Sequence, residues 1–145
     1  MAARSKARKR AFQIVFEADQ RGTSVHEVLA DQVRLHRSDD RQPPVSDFTM
    51  QLVEGYAQHV GRIDELIATY AVDWDLDRMP ATDRNIVRLA AYELIWEDGT
   101  PDAVAIDEAV QLAKEFSTDD SPAFVNGLLG RFKDLKPRLR READA

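Results

Sequence analysis

Apolar residues recur at spacings of three and four positions along most of the chain, which is the period of one face of an α-helix. No segment alternates apolar and polar residues for long enough to predict a β-sheet. The pattern predicts about seven helices, which run from Ser5 to Gly22, Ser24 to near Leu35, Ser46 to Gly61, Ile63 to Tyr70, Pro80 to Trp96, Ala105 to Phe116 and Val125 to Leu129. The chain is therefore expected to be all-α, a single domain over residues 1–145 arranged as one bundle or as two packed subgroups.

Capping residues and one further glycine support the predicted ends of several helices. Gly22 is a candidate C-cap, and Ser24 with Glu27 three positions later matches a capping box. Ser46 can cap the next helix, and Gly61 is expected to separate that helix from the one after it.

Other stretches have the composition of exposed chain. Residues 1–6 are predicted to be a flexible basic arm, residues 36–45 an exposed loop around a Pro-Pro pair, and residues 136–145 a polar tail. Residues 72–80 mix apolar side chains with three aspartates, and we expect a loop whose apolar members pack inward.

The composition argues against an enzyme. The chain has no cysteine, its three histidines lie on separate segments, and it has no glycine-rich phosphate loop. We therefore expect no catalytic residue, no metal and no cofactor. No apolar stretch approaches the roughly 18 residues needed to cross a bilayer, so no membrane partner is expected and a cytoplasmic location is predicted.

The charge of the chain is unevenly distributed. The net charge is −6, yet the first ten residues contain five cations, Arg4, Lys6, Arg8, Lys9 and Arg10, and no acid. Subtracting these five charges from −6 leaves −11 on the rest of the chain. A cationic end on an acidic body favours a polyanion at one site, and a solvated basic tail is the alternative.

The run STDDSPAFVNG near the C-terminal end is a turn between two apolar helical segments. Asp120 or Ser121 can cap the second helix, and Pro122 suits its first turn. Capping does not explain Phe116 and Phe124, which bracket the turn. Aromatic rings near a cationic arm are the ingredients of single-stranded RNA binding, although two core phenylalanines would give the same composition.

Three segments of the chain are similar to one known family. The runs ARKRAFQIVFEAD at 7–19, DRNIVRLAAYEL at 83–94 and IDEAVQLAKEFSTDDSPAFVNGLL at 106–129 resemble the NusB family of transcription antitermination factors. The resemblance covers nearly the whole chain. It implies an all-helical fold without catalysis, and binding to the boxA element of ribosomal RNA transcripts together with NusE, a ribosomal small-subunit protein. The pair would then help RNA polymerase read through terminators.

The resemblance also implies an RNA-binding surface of basic and aromatic residues, at Arg4, Lys6, Arg8, Phe16, Phe116, Asp120 and Phe124. The three cations would hold phosphates, and the three rings would lie at or beside the RNA. Asp120 would contact a base edge or fix the turn. Asp83 stands where the family places an acid facing NusE, and such a cationic partner suits the acidic body of the chain. Arg84 and Arg88 are expected to be structural partners of nearby acids.

The chain departs from the family at two places. Phe16 stands where the family often has tyrosine, so a hydrogen bond from that ring is absent, and Ser5 interrupts the cations of the arm.

Two other functions are alternatives to the one that the family resemblance implies. A ribosomal RNA cytosine-5 methyltransferase, to which a NusB-like domain can be attached, is rejected because the chain has neither a cysteine nucleophile nor a cofactor domain. A structural homodimer with only non-specific RNA affinity stays open.

Overall fold

The computed structural model describes residues 2–71 and 78–144, and all regular elements in these residues are α-helices. They are α1 (Ala3–Arg21), α2 (Val25–Ser38), α3 (Asp47–Tyr70), α4 (Ala81–Trp96), α5 (Asp102–Phe116) and α6 (Ser121–Asp144). The all-α prediction is confirmed, with six helices in the described part of the chain instead of about seven. Within those same residues, no helix is both long and apolar enough to cross a membrane.

The difference in number arises in α3, where one helix replaces the two that were predicted. Gly61 lies within α3 and does not end it. The buried residues Tyr56, Ile63 and Ile67 keep the same helical phase on both sides of the glycine. Burial of this continuous stripe outweighs the roughly 1 kcal/mol by which an interior glycine disfavours a helix.

The predicted polar tail is also helical, since α6 continues to Asp144 in spite of Pro137. Phe132 and Leu139 are almost fully buried, so the apolar face of the helix extends beyond the proline. Lys136 adds an ion pair with Asp102 of α5 at 2.7 Å. Packing and charge therefore fix a segment whose composition predicted an exposed tail.

The predicted flexible arm and the predicted exposed loop are also more helical than expected. Helix α1 begins at Ala3, so most of residues 1–6 form its first turn. Helix α2 continues to Ser38, which shortens the connection to α3. The predicted caps are present: the Ser24 and Ser46 side chains each accept a hydrogen bond from a backbone N–H at 3.2 Å.

Helix α4 is the centre of the bundle and packs against α1, α3, α5 and α6. Its side chains Val87, Leu94 and Ile95 are fully buried, as its apolar sequence predicts. Buried residues from all six helices form one continuous core. Met79, before α4, is also buried as expected, while Val72, Trp74 and Leu76, also apolar residues of the predicted 72–80 loop, lie outside the described residues.

Candidate nucleic-acid interface

Helix α1 carries cations on two faces, and the inner face is closed. Arg8 is only 5% exposed. Its Nε donates to both oxygens of Glu93 on α4, at 3.0 and 2.9 Å, and its Nη2 lies 2.8 Å from the same carboxylate. Thr100 donates to Glu93 as well, at 2.9 Å. The expectation that Arg8 contacts a phosphate is not supported, because its guanidinium is buried and engaged by an acid.

Two cations of the first turn of α1 are exposed to solvent, Arg4 at its N-terminal end and Lys6 on its outer face. The Arg4 guanidinium lies over the ring of Phe48 on α3, 4.5 Å from the ring centre. Among the described residues, Lys6 makes no hydrogen bond or ion pair through its side chain. These two predicted phosphate contacts therefore remain available to a ligand.

A basic groove runs between α1 and the connection from α2 to α3. It has a volume of about 530 Å³ and is lined by Ala3, Lys6, Ala7, Lys9, Arg10, Gln13, Pro43, Pro44, Ser46 and Thr49. Arg10 donates to the neutral side chain of Gln32 at 2.7 Å, so its positive charge is not compensated by this contact. Lys9 forms an ion pair with Glu115 of α5 at 2.5 Å. The groove therefore keeps an excess of positive charge.

An aromatic cleft adjoins the basic groove. It has a volume of about 510 Å³ and is lined by Phe12, Gln13, Phe16, Glu17, Gln20, Thr82 and Phe116. The ring of Phe12 lies 5.3 Å from that of Phe116 and 5.9 Å from that of Phe16. Phe116 is 37% exposed, whereas Phe12 is buried, so Phe116 offers the larger free ring surface.

The groove and the cleft form one continuous surface. Gln13, on the exposed side of α1, lines both. Lys9 also joins them, because its ammonium lies 5.3 Å from the centre of the Phe116 ring. Positive charge and an exposed aromatic ring therefore lie next to each other, as single-stranded nucleic acid requires.

The turn between α5 and α6 is fixed by Asp83, in the first turn of α4. This carboxylate is 4% exposed and accepts hydrogen bonds from the hydroxyls of Ser117 and Ser121, the latter at 2.9 Å. The two hydroxyls are also within hydrogen-bond distance of each other, at 2.9 Å. The expected contact of Asp83 with NusE does not agree with this placement, because both of its oxygens are used inside the fold.

The other predicted residues of the turn have different surroundings. Asp120 is exposed, and its backbone carbonyl accepts from the Phe124 N–H at 3.3 Å. The Phe124 ring is half-buried and packs against the core. It does not line the aromatic cleft, so the structure brings Phe16 and Phe116 together but leaves Phe124 apart.

Sequence reasoning missed Gln13, which lines both the groove and the cleft, and Phe48, which lies beside Arg4. A signal existed for Gln13, because Lys6, Lys9, Gln13 and Phe16 follow one another at three- and four-residue spacings. None existed for Phe48, since its contact with Arg4 joins two helices that are far apart in the sequence.

Helices α1 and α4 are joined by charges at both ends of their contact. Asp19 of α1 accepts a hydrogen bond from Arg84 at 2.6 Å and one from Asn85 at 2.9 Å. Arg88 forms a bidentate ion pair with Asp64 of α3. The predicted structural role of the two arginines is confirmed. Partial burial by itself raises the pKa of Asp19, but the hydrogen bonds and charges of these neighbours outweigh it, so the pKa lies below its ordinary value.

No group of histidine, aspartate and glutamate side chains in residues 2–71 and 78–144 is arranged to hold a metal ion. The site is therefore built from charge, ring surface and hydrogen-bonding groups.

Comparison with known sequences supports the resemblance. The sequence pattern of the NusB family matches residues 5–134. A protein of Streptomyces griseus named "Transcription antitermination protein NusB" is 80% identical, over 98% of this chain and 99% of its own length. The protein of the same name from Streptomyces coelicolor is 74% identical, over 98% of this chain and its full length.

Solved structures show the same likeness in three dimensions. T. maritima NusB superimposes with a TM-score of 0.80 at 31% identity, covering 98% of this chain and 99% of that one. A chain in a crystal structure of the antitermination factors NusB and NusE in complex with dsRNA gives a TM-score of 0.77 at 25% identity. That match covers 90% of this chain and 96% of the other.

Proposed function

The chain belongs to the NusB family, and on that premise we propose that it binds the boxA element of ribosomal RNA transcripts together with NusE. The bound complex would act on RNA polymerase and promote read-through of terminators. Such a factor works on nascent transcripts, so we place it in the cytoplasm of a bacterial cell.

The observation that carries this proposal is the continuity of the basic groove with the aromatic cleft. Single-stranded RNA presents phosphates along its backbone and bases whose faces can stack on rings. Lys6 lines the groove, Phe116 lines the cleft, and Gln13 lies on the wall that both share. One strand can therefore place phosphates in the groove and a base in the cleft.

We assign the individual residues accordingly. Arg4 and Lys6 contact phosphates, because both are exposed cations in the first turn of α1. Phe116 stacks on a base, with Phe16 beside it. Asp120 is exposed at the turn and can accept a hydrogen bond from a base edge.

Two of the residues implied by the resemblance take supporting roles in this proposal. Phe124 anchors the first turn of α6 against the core. Asp83 fixes the α5–α6 turn through its serine partners. We place NusE on the acidic surface outside the arm, because the charge of −11 that remains without the arm suits a cationic ribosomal protein.

The test is binding of the purified protein to a short boxA RNA and to a scrambled RNA, with and without NusE, at two salt concentrations. We expect preferential binding to boxA RNA that NusE strengthens. Equal, weak and strongly salt-dependent binding to both RNAs would contradict the proposal and leave a basic surface without sequence preference.

Phe116→Ala tests the cleft in the same assay. We expect a loss of about 1–3 kcal/mol in RNA binding, which is the usual contribution of one stacked base. Leu35→Ala is the matched control, since Leu35 is an exposed apolar residue of α2 outside the groove and the cleft. Equal affinities of the two variants would remove the cleft from the RNA site.

A further inference from the structure

Phe48 lies in the first turn of α3, outside the three segments that carry the family resemblance. Its ring is half-buried and packs against the edge of the core. Two guanidinium groups from the first turns of α1 lie near this ring. The Cζ atom of Arg4 lies 4.5 Å from the ring centre, and the Cζ atom of Arg8 lies 5.2 Å from it. Both distances are within the roughly 6 Å over which a cation is attracted to an aromatic ring.

The two arginines differ in what their N–H groups do. Arg8 gives its donors to Glu93, and Glu108 lies 3.6 Å from it on the other side. The Arg4 side chain makes no hydrogen bond or ion pair with any residue in the described ranges 2–71 and 78–144. Its guanidinium lies over the Phe48 ring, and its N–H groups are available to a ligand.

This combination suits the binding of a phosphate. A guanidinium recognises a phosphate through parallel N–H donors on one edge, and it can do so while its face rests on a ring. An exposed arginine without such a support loses rotamer freedom when it binds, and this loss weakens the complex. The ring holds the Arg4 side chain before the ligand arrives, so less freedom is lost on binding.

We propose that Phe48 is a positioning residue for RNA binding, whose ring holds the Arg4 guanidinium ready for a phosphate of the bound strand. The inference rests on the proposed function and extends its surface from α1 to the start of α3. Phe48 itself does not contact the RNA in this arrangement. Its effect on affinity therefore passes through Arg4.

A double-mutant cycle in the full-length protein tests this dependence, with boxA RNA as the probe. Phe48→Leu keeps an apolar side chain but removes the ring, and we expect its affinity for the RNA to fall about 2- to 5-fold, the effect of one exposed cation–ring contact. Arg4→Ala should lower affinity further and reduce the slope of log affinity on log salt by about 0.7, which corresponds to one phosphate of a single strand. Phe48→Leu should then have no additional effect in the Arg4→Ala background.

Two further variants separate positioning from structural support. Phe48→Tyr keeps the ring and should bind as the unmodified protein does. Arg131→Ala is the matched control, because Arg131 is an exposed arginine over the Tyr70 ring, 5.3 Å from its centre, at the opposite end of α3. It should leave RNA affinity unchanged. Thermal unfolding of each variant verifies that binding is measured on folded protein.

Each outcome bears on a defined part of the inference. If Phe48→Leu weakens binding equally with and without Arg4, the ring acts through Arg8, the core or the RNA, and the inference is overturned. If it has no effect in either background, Arg4 needs no support and the inference is also overturned. Failure of the unmodified protein to prefer boxA RNA counts against the proposed function, whereas absence of all RNA binding overturns both.

Discussion

The buried and the exposed charges of α1 use the same residue types for opposite purposes. On the inner face, Arg8 is buried against Glu93 of α4, and Asp19 near the other end of α1 accepts from Arg84 of α4. In the first turn of α1, Arg4 and Lys6 are exposed and engage no acid among the described residues. The inner charges hold α1 on the bundle, and the outer charges are free to bind a polyanion.

This difference shows that a cluster of cations in a sequence is not a single functional unit. Arg4 and Arg8 are one helical turn apart, and both lie near the Phe48 ring. Only Arg8 meets a carboxylate of α4, so its charge is neutralised within the fold. The local three-dimensional partner, more than the residue type, decides which cation is available to RNA.

The largest expected effect comes from breaking the inner face with Arg8→Ala. This change leaves Glu93 buried without its cation, and removal of one partner from a buried ion pair typically costs about 3–5 kcal/mol in the free energy of unfolding. Urea denaturation measures the loss. The double variant Arg8→Met/Glu93→Leu removes both charges and should recover most of it. A loss below about 1 kcal/mol for Arg8→Ala would show that the pair does not hold α1.

A smaller effect is expected at the other end of the inner face, where it depends on pH. The folded-state pKa of Asp19 is lowered, so its contribution to stability is fully present above the unfolded-state pKa of about 3.9 and is lost as pH falls through the folded value. Asp19→Asn should therefore reduce the free energy of unfolding by about 1–2 kcal/mol at pH 7. The difference from the unmodified protein should shrink as the pH is lowered below about 4.

Glu54→Gln is the control for this pH dependence, because it removes an exposed carboxylate of α3. Denaturation curves of the three proteins at several pH values supply the comparison. A difference for Asp19→Asn that stays constant down to pH 2 would mean that its ionisation does not stabilise the contact between α1 and α4.

The smallest effect on stability is expected at the exposed cations. Arg4→Ala/Lys6→Ala should reduce the free energy of unfolding by no more than about 1 kcal/mol, because both side chains are exposed and the contact of Arg4 with the Phe48 ring is weak. It should reduce the slope of log RNA affinity on log salt by about 1.4, which corresponds to two phosphates of a single strand. Titrations at four salt concentrations measure the slope. An unchanged slope together with a large loss of stability would show that these two cations hold the fold and do not bind RNA.

The helices could be predicted from the sequence wherever the apolar period was continuous, but their lengths could not. Gly61 was interpreted as a helix end because glycine disfavours helices locally, and residues 136–145 as a tail because of their polar composition. In the structure, Ile63 beyond the glycine and Leu139 in the predicted tail are buried, and burial depends on neighbouring helices that local sequence does not specify. Tertiary packing therefore overrides the local sequence preference at both positions.

That basic and aromatic residues lie near each other could be predicted from the sequence, but their individual contacts could not. Phe116 lies beside Lys9, and Lys6 lines the groove that shares Gln13 with the cleft of Phe116. The burial of Arg8 had a local signal, since Phe12 and Val15 continue its stripe and are both buried. The burial of Asp83 had none, because it results from two serines on a turn more than 30 positions away.

The ion pair between Arg8 and Glu93 also sets a condition on how the protein folds during synthesis. The two residues are 85 positions apart in the chain. At about 5–20 residues per second, the ribosome needs roughly 4–17 s to add that length. Throughout this interval the nascent α1 exposes a hydrophobic face and an unpaired Arg8 that only later helices can cover. The N-terminal helix is made first, but it reaches its native environment only after most of the chain has been translated.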